Sequence, residues 1–192
     1  MKLNLPNKLT VFRIIMVPVF LAVAVAIPLD DTVSRIVCAA IFAVTCITDM
    51  LDGKIARKYN LVTDFGKFMD PLADKFIVFA ALLAVLVKYD YLRNIFVWAA
   101  AIVMFRELAV TSVRLVAAGK EGLVIAASWL GKIKTTLQMI CILTVFLEPV
   151  VLPFKPFTEY HALTWATTAA MTVMTLWSGI DYIAKYWKFI KP

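Results

Sequence analysis

Long apolar stretches alternate with short polar breaks along this chain, at intervals that suit membrane helices. Six α-helices are predicted, each near the ~20 residues that cross a bilayer core. They run from about Thr10 to Ile27, Val33 to Lys58, Asp64 to Val87, Leu92 to Ala118, Ser128 to Leu147 and His161 to Tyr186. Pro28 ends the first, and Asp31 or Thr32 is expected to cap the second. Thr63 or Asp64 suits the N-cap of the third, just before Phe65 and Gly66. Pro71 lies inside that helix and predicts a local bend. Tyr89, Asp90 and Tyr91 read as a turn with aromatics at interface depth. Gly119 to Gly122 reads as a break, and Pro149, Pro153 and Pro156 punctuate a longer loop. No repeat, low-complexity tract or linker divides the chain, so residues 1–192 read as a single all-α membrane domain.

Composition agrees with the pattern. Of 192 residues, 62% are hydrophobic, and the mean hydropathy is +0.86. A soluble domain of this length could not hide that much apolar surface. The first apolar run follows an amphipathic start and reads as a helix, not a cleavable signal. The formal net charge is +7, and its placement matters more than its size. Of the 20 lysines and arginines, only Arg35, Lys88, Arg93 and Lys155 fall at one set of helix ends. The other sixteen gather at the opposite set, which by the positive-inside rule is cytoplasmic, with both termini. Basic residues interleaved with spans do not suit nucleic-acid binding. Cys38, Cys46 and Cys141 lie in apolar runs without metal-ligand spacing and read as small buried hydrophobes. His161, the one histidine, falls at the outer face as an interfacial residue.

Against this hydrocarbon background four aspartates stand out: Asp49, Asp52, Asp70 and Asp74. Asp49 and Asp52 lie about 60° apart on one helix face, and Asp70 and Asp74 about 40° apart on another. Two such faces turned together gather four carboxylates, which repel unless cations sit among them. Scattered polar residues for packing or snorkelling would be the plainer explanation, but four acids on two stripes do not suit it. Clustered Asp without Cys or His favours Mg²⁺ or Mn²⁺ over zinc. Four carboxylates suffice for two cations, with Asp49, Asp52 and Asp70 as first-choice ligands and Asp74 also available.

The acids sit in a pattern: Asp49-x2-Asp52-Gly53-x2-Ala56-Arg57, eight residues, then Gly66-x3-Asp70-x3-Asp74. It resembles the signature of the CDP-alcohol phosphotransferase family, with every fixed position filled. The resemblance implies a six-helix membrane enzyme, a homodimer, in which Asp74 is the general base that takes the proton from the attacking alcohol. It also implies a cytidine lying against bare backbone at Gly53 and Gly66, with Ala56 kept small; plain helix packing would need the same small residues. Arg57 carries a fork suited to a phosphate, and Thr63 is either a nucleotide contact or only a cap. Asn7, Thr10 and Arg13 resemble the family too. They would reach the nucleotide diphosphate of CDP-diacylglycerol, or else serve as interfacial anchors.

The acceptor alcohol is read from other residues. Arg106 and Arg114 lie just over two turns apart on the fourth helix, and Lys132 and Lys134 open the fifth. The Arg106-Glu107 pair and Gly131-Lys-x-Lys-Thr-x-x-Gln-Met139 look like the branch of the family whose acceptor is sn-glycerol 3-phosphate. Such a basic cluster suits a phosphorylated acceptor. Positive-inside charge alone explains Lys120 well, and explains Arg106, inside an apolar run, less well. Inositol phosphate, serine or phosphatidylglycerol would be alternative acceptors. A small cation channel or transporter would be the reading from another class, although transporters usually bind near the midplane.

Overall fold

A computed structural model describes residues 4–59, 63–121 and 128–187, apart from the side chains of 57, 64, 67 and 118–121. Helix α1 (Leu5–Leu21) loosens into a π-helical turn at Ala22–Ala26. It is followed by α2 (Asp31–Lys58), α3 (Asp64–Lys88), α4 (Asp90–Glu121), α5 (Trp129–Val151), the short α6 (Lys155–Thr158) and α7 (Ala162–Lys185). The six long helices close a ring: α1 packs on α2 and α3, α3 on α4, α4 on α7, α7 on α5, and α5 on α2. Phe20, Phe42, Leu82, Phe96, Ile142 and Phe146 fill its centre with almost no exposure. Trp98, Phe105, Leu115 and Trp177 face outward instead, as a lipid-facing surface requires.

The helix ends show which polar groups win the orphan amides. α1 begins earlier than its apolar run because Asn4 accepts from the Asn7 amide at 3.0 Å. Asp30, not Asp31 or Thr32, caps α2, accepting from Thr32 N at 3.0 Å. Asp31 is instead turned to Arg35, one turn on, at 2.6 Å. Thr63 caps α3 as expected, accepting from Gly66 N at 3.0 Å. α4 starts at Asp90 and runs through Gly119 to Glu121, so the expected break there begins later; Gly122 lies outside the described residues. Ser128 caps α5, whose last turn includes Pro149, because the residues before a proline can stay helical when it stands near the C-terminus. Glu148 turns back to accept from Leu163 N and Thr164 N, both at 2.8 Å, and so closes the start of α7.

The chain is a multi-pass membrane protein. Four stretches among the described residues are long and apolar enough to cross a bilayer: Leu5–Ala26, Asp31–Ala56, Asp90–Ala117 and Trp129–Val151. The expected count of six is not reached on that measure, for a physical reason. α3 carries Asp70, Asp74 and Lys75 toward the ring interior. α7 buries Thr164, Thr168, Thr175 and Ser178, and the last two donate their hydroxyls to carbonyls of their own helix. Both helices are long enough to span, α3 with charged groups in its N-terminal half and α7 with buried hydroxyls along its length.

Candidate active site

Because the helices alternate in direction, the N-terminal half of α1, the C-terminal half of α2 and the N-terminal half of α3 meet at one end of the ring. The four aspartates converge there on one guanidinium. Arg13 Nη1 lies 2.5 Å from Asp49 and also bonds Asp74, while Nη2 lies 2.6 Å from Asp52 and 3.5 Å from Asp70. Arg13 is 1% exposed and Asp52 4%, whereas the side chains of Asp49, Asp70 and Asp74 are 36–44% exposed. The cluster is therefore closed behind Asp52 and open on the side of the other three acids. Arg13 is the cation that the charge argument required, although its spacing from the motif gave no hint of that pairing.

The rest of the N-terminal segment lies on the same seam. Thr10 donates to Asp70 at 2.5 Å and to the Pro6 carbonyl at 3.1 Å. Asn7 accepts from the Thr63 hydroxyl at 2.9 Å. Interfacial anchoring would have left Asn7, Thr10 and Arg13 exposed, and these three are buried. Thr63 uses its hydroxyl both to cap α3 and to bond Asn7. Gly66 is buried where α1 crosses α3: a Cβ there would stand 3.2 Å from Asn7 Oδ1 and 3.5 Å from Asp70 Oδ2. Close helix approach is thus one reason for that glycine. Gly53 and Ala56 are half-buried on α2, and the Arg57 side chain lies outside the described residues.

Do these residues fit divalent cations? As placed, the carboxylates surround a guanidinium, and among the described residues no three of them close on a common point as metal ligands. The donor set does fit. Four carboxylates against one guanidinium leave a formal charge of about −3, all of it on hard oxygens, three of the four groups open to approach. Asp49, Asp52, Asp70 and Asp74 would hold the ions.

A second feature adjoins the acids. A cavity of about 350 Å³ reaches from Asp70 and Asp74 across α3, α4 and α5, past Lys75, Arg106, Glu107, Arg114, Lys134 and Gln138. Arg106, Arg114 and Lys134 are thus brought together beside the aspartates. Lys132 is not: it is exposed, with its ammonium 6.0 Å from the Trp129 ring, and does not line the cavity. The even spacing of lysines concealed this difference, because residues two apart on a helix point to different sides. Glu107 organises the cations. It accepts from Arg106 at 2.9 Å and from the buried Lys134 through the same oxygen. Gly179 on α7 gives Arg106 room, since a Cβ there would stand 3.0 Å from Arg106 Cγ. Arg114 is steadied by the Tyr182 hydroxyl at 3.1 Å. Lys75 was missed from sequence. It bonds the Thr111 hydroxyl, and among the described residues no carboxylate pairs with it. Its position directly after Asp74 on α3 is the signal that was available.

His161 lies far from this site, at the N-cap of α7, stacked on Tyr91 with ring centroids 4.0 Å apart. Burial pushes its pKa below the ordinary imidazole value, against the pull of Glu148. Cys38 and Cys141 are buried and Cys46 is half-buried, all of them free thiols.

A ring of long apolar helices thus holds an acidic cluster beside a cavity into which several charged side chains turn. The comparisons make the class specific. The family model of CDP-alcohol phosphatidyltransferase matches residues 3–178, and the chain belongs to that family. It is 40% identical to the CDP-diacylglycerol–glycerol-3-phosphate 3-phosphatidyltransferase of Bacillus subtilis (strain 168), covering 98% of this chain and 97% of the relative. It is 37% identical to the enzyme of the same name from Escherichia coli (strain K12), covering 96% and 95%. It is 39% identical to a probable phosphatidylglycerophosphate synthase of Mycobacterium tuberculosis (strain ATCC 25618 / H37Rv), covering 95% and 81%.

Proposed function

We propose that this protein transfers the phosphatidyl group from CDP-diacylglycerol to sn-glycerol 3-phosphate, giving phosphatidylglycerol phosphate and CMP. One observation carries the reading beyond family membership: the cavity beside the acidic cluster is lined by Lys75, Arg106, Arg114 and Lys134, a setting for a phosphorylated acceptor. Serine needs no such charge.

In this reading the nucleotide end of the donor lies over α2 and α3, against Gly53, Ala56 and Gly66, with Arg57 and the α1 residues Asn7, Thr10 and Arg13 near the diphosphate. Two Mg²⁺ or Mn²⁺ ions held by the aspartates would neutralise the diphosphate and polarise its phosphorus. The acceptor phosphate sits among the cavity cations, which places its primary hydroxyl toward Asp74. Asp74 takes the proton of that hydroxyl as its oxygen bonds the phosphatidyl phosphorus. The anhydride bond breaks, and CMP leaves with the bonding pair. An apolar groove of about 360 Å³ between α4 and α7 meets the cavity at Arg106 and offers acyl chains a lateral way into the bilayer. By the positive-inside rule the site faces the cytoplasm. The assembly is a homodimer, on the family resemblance.

Purified protein given labelled CDP-diacylglycerol and a panel of acceptors tests this. CMP release should depend on glycerol 3-phosphate, stop in EDTA and return with Mg²⁺ or Mn²⁺. Asp49→Asn, Asp52→Asn and Asp70→Asn should each nearly abolish turnover. Asp74→Asn should lose orders of magnitude in kcat while the donor still binds. Full activity in EDTA would sink the metal reading, and serine dependence would sink the acceptor.

A further inference from the structure

We propose that Gln138 reads the acceptor hydroxyl that does not attack, and so sets the preference for glycerol 3-phosphate over acceptors lacking its C2 hydroxyl. The proposal rests on the acceptor assigned above. Gln138 is 2% exposed on α5, one turn beyond Lys134, and lines the cavity. Its Oε1 is buried and has no hydrogen-bond partner. Buried polar groups are nearly always paired, so an orphan acceptor at a cavity wall marks a place where a ligand donates.

A second unsatisfied atom in the same cavity sharpens the ligand. Arg106 Nε on α4 is also buried without a partner, and it is a donor. Two residues that line the cavity thus hold unused groups just behind its surface, a cationic donor on Arg106 and a neutral acceptor on Gln138. A phosphate fills the first and cannot fill the second, because a phosphate dianion has only acceptor oxygens. A hydroxyl fills the second. A molecule with both, small enough for about 350 Å³, satisfies the two walls at once. In glycerol 3-phosphate the primary hydroxyl is consumed by the reaction at Asp74, which leaves the C2 hydroxyl for Gln138. Amide and hydroxyl are both uncharged, so this contact adds selectivity without adding to the pull on the phosphate. A site built to bond a substrate hydroxyl discriminates strongly against the analogue lacking it, because the buried group is left unpaired.

The test compares two acceptors, glycerol 3-phosphate and 3-hydroxypropyl phosphate, which lacks only the C2 hydroxyl. The wild-type protein should prefer the first by at least about tenfold in kcat/KM, the worth of one hydrogen bond. In Gln138→Met, an unbranched apolar side chain of similar length, kcat/KM for glycerol 3-phosphate should fall about 10- to 100-fold. The value for 3-hydroxypropyl phosphate and the KM for CDP-diacylglycerol should hold, so the preference collapses. A merely structural role for Gln138 would depress both acceptors together, and that result overturns the proposal. So does a wild-type protein that uses both equally, a measurement that needs no folded variant. If the acceptor reading itself is wrong, the wild-type protein turns over neither compound, and the proposal falls with it.

Discussion

A guanidinium spreads one charge over a planar fork of five donors, so Arg13 can address four carboxylates where a lysine has only three donors on a single atom. It occupies the space between the acids that divalent cations would need, and this makes it a competitor as well as a neighbour. Arg13→Gln should therefore have two separable effects. Turnover should fall at least about tenfold, because a charge-assisted partner of the diphosphate is lost. Half-saturating Mg²⁺ should move to lower concentration, because a resident cation is gone from a site that keeps all four acids. A Mg²⁺ titration of the variant against the wild-type protein measures the second effect. An unchanged or higher Mg²⁺ requirement would mean that Arg13 does not compete with the ions. The motif identified the acids from sequence because their spacing is local to two helices. Arg13, some 36 to 61 residues away, was legible only as a family likeness, since nothing in α1 alone says which helices it faces. Glu107 was likewise legible only within a likeness, and Lys75 was hidden, because each looks like ordinary charge until α3, α4 and α5 are brought around one cavity.

Helix starts and stops followed local chemistry closely enough that most were legible within a few residues. Thr63 and Ser128 sit where a side-chain oxygen can meet the third amide onward, a purely local arrangement. His161 is the exception. It precedes α7 with φ 50°, the left-handed region, which is uncommon for a residue with a Cβ, and it is held there by stacking on Tyr91. No local pattern in the sequence marks that conformation. Substitution should separate backbone from ring. His161→Ala keeps the steric cost of a Cβ at positive φ and loses the stacking. His161→Gly loses the stacking and the steric cost together. The glycine variant should be the more stable of the two by about 1 kcal/mol, read from thermal unfolding in detergent. Acidification gives an independent check. The folded state holds the imidazole pKa below its unfolded value, so the unfolded chain binds the proton more readily. Stability should thus fall as pH drops through about 6.5, and both variants should lose that component.

The ring as a whole fixes which groups share an end of the molecule. Leu5 and Lys185 stand at the same end as the aspartates, as do the C-terminal part of α4 and the start of α5. The turns at Ile27–Asp30, Tyr89 and Leu152–His161 form the other end. Four of the 20 basic residues, Arg35, Lys88, Arg93 and Lys155, belong to that second end. Arg35 and Lys88 are moreover tied to Asp31, at 2.6 and 3.5 Å, and Arg93 is paired with Asp90, which lowers the free positive charge there further. By the positive-inside rule, the proposed orientation puts the basic end in the cytoplasm. Cysteines placed one at a time at Glu159 and Lys185, both exposed, report the orientation in intact cells. The native thiols make a quiet background, two of them buried and the third half-buried inside the ring. Glu159→Cys should react with a membrane-impermeant maleimide added outside. Lys185→Cys should react only after the membrane is opened. The reverse pattern would put the acidic cluster and its cavity on the outer side, away from the soluble acceptor, and would require a different source for the alcohol.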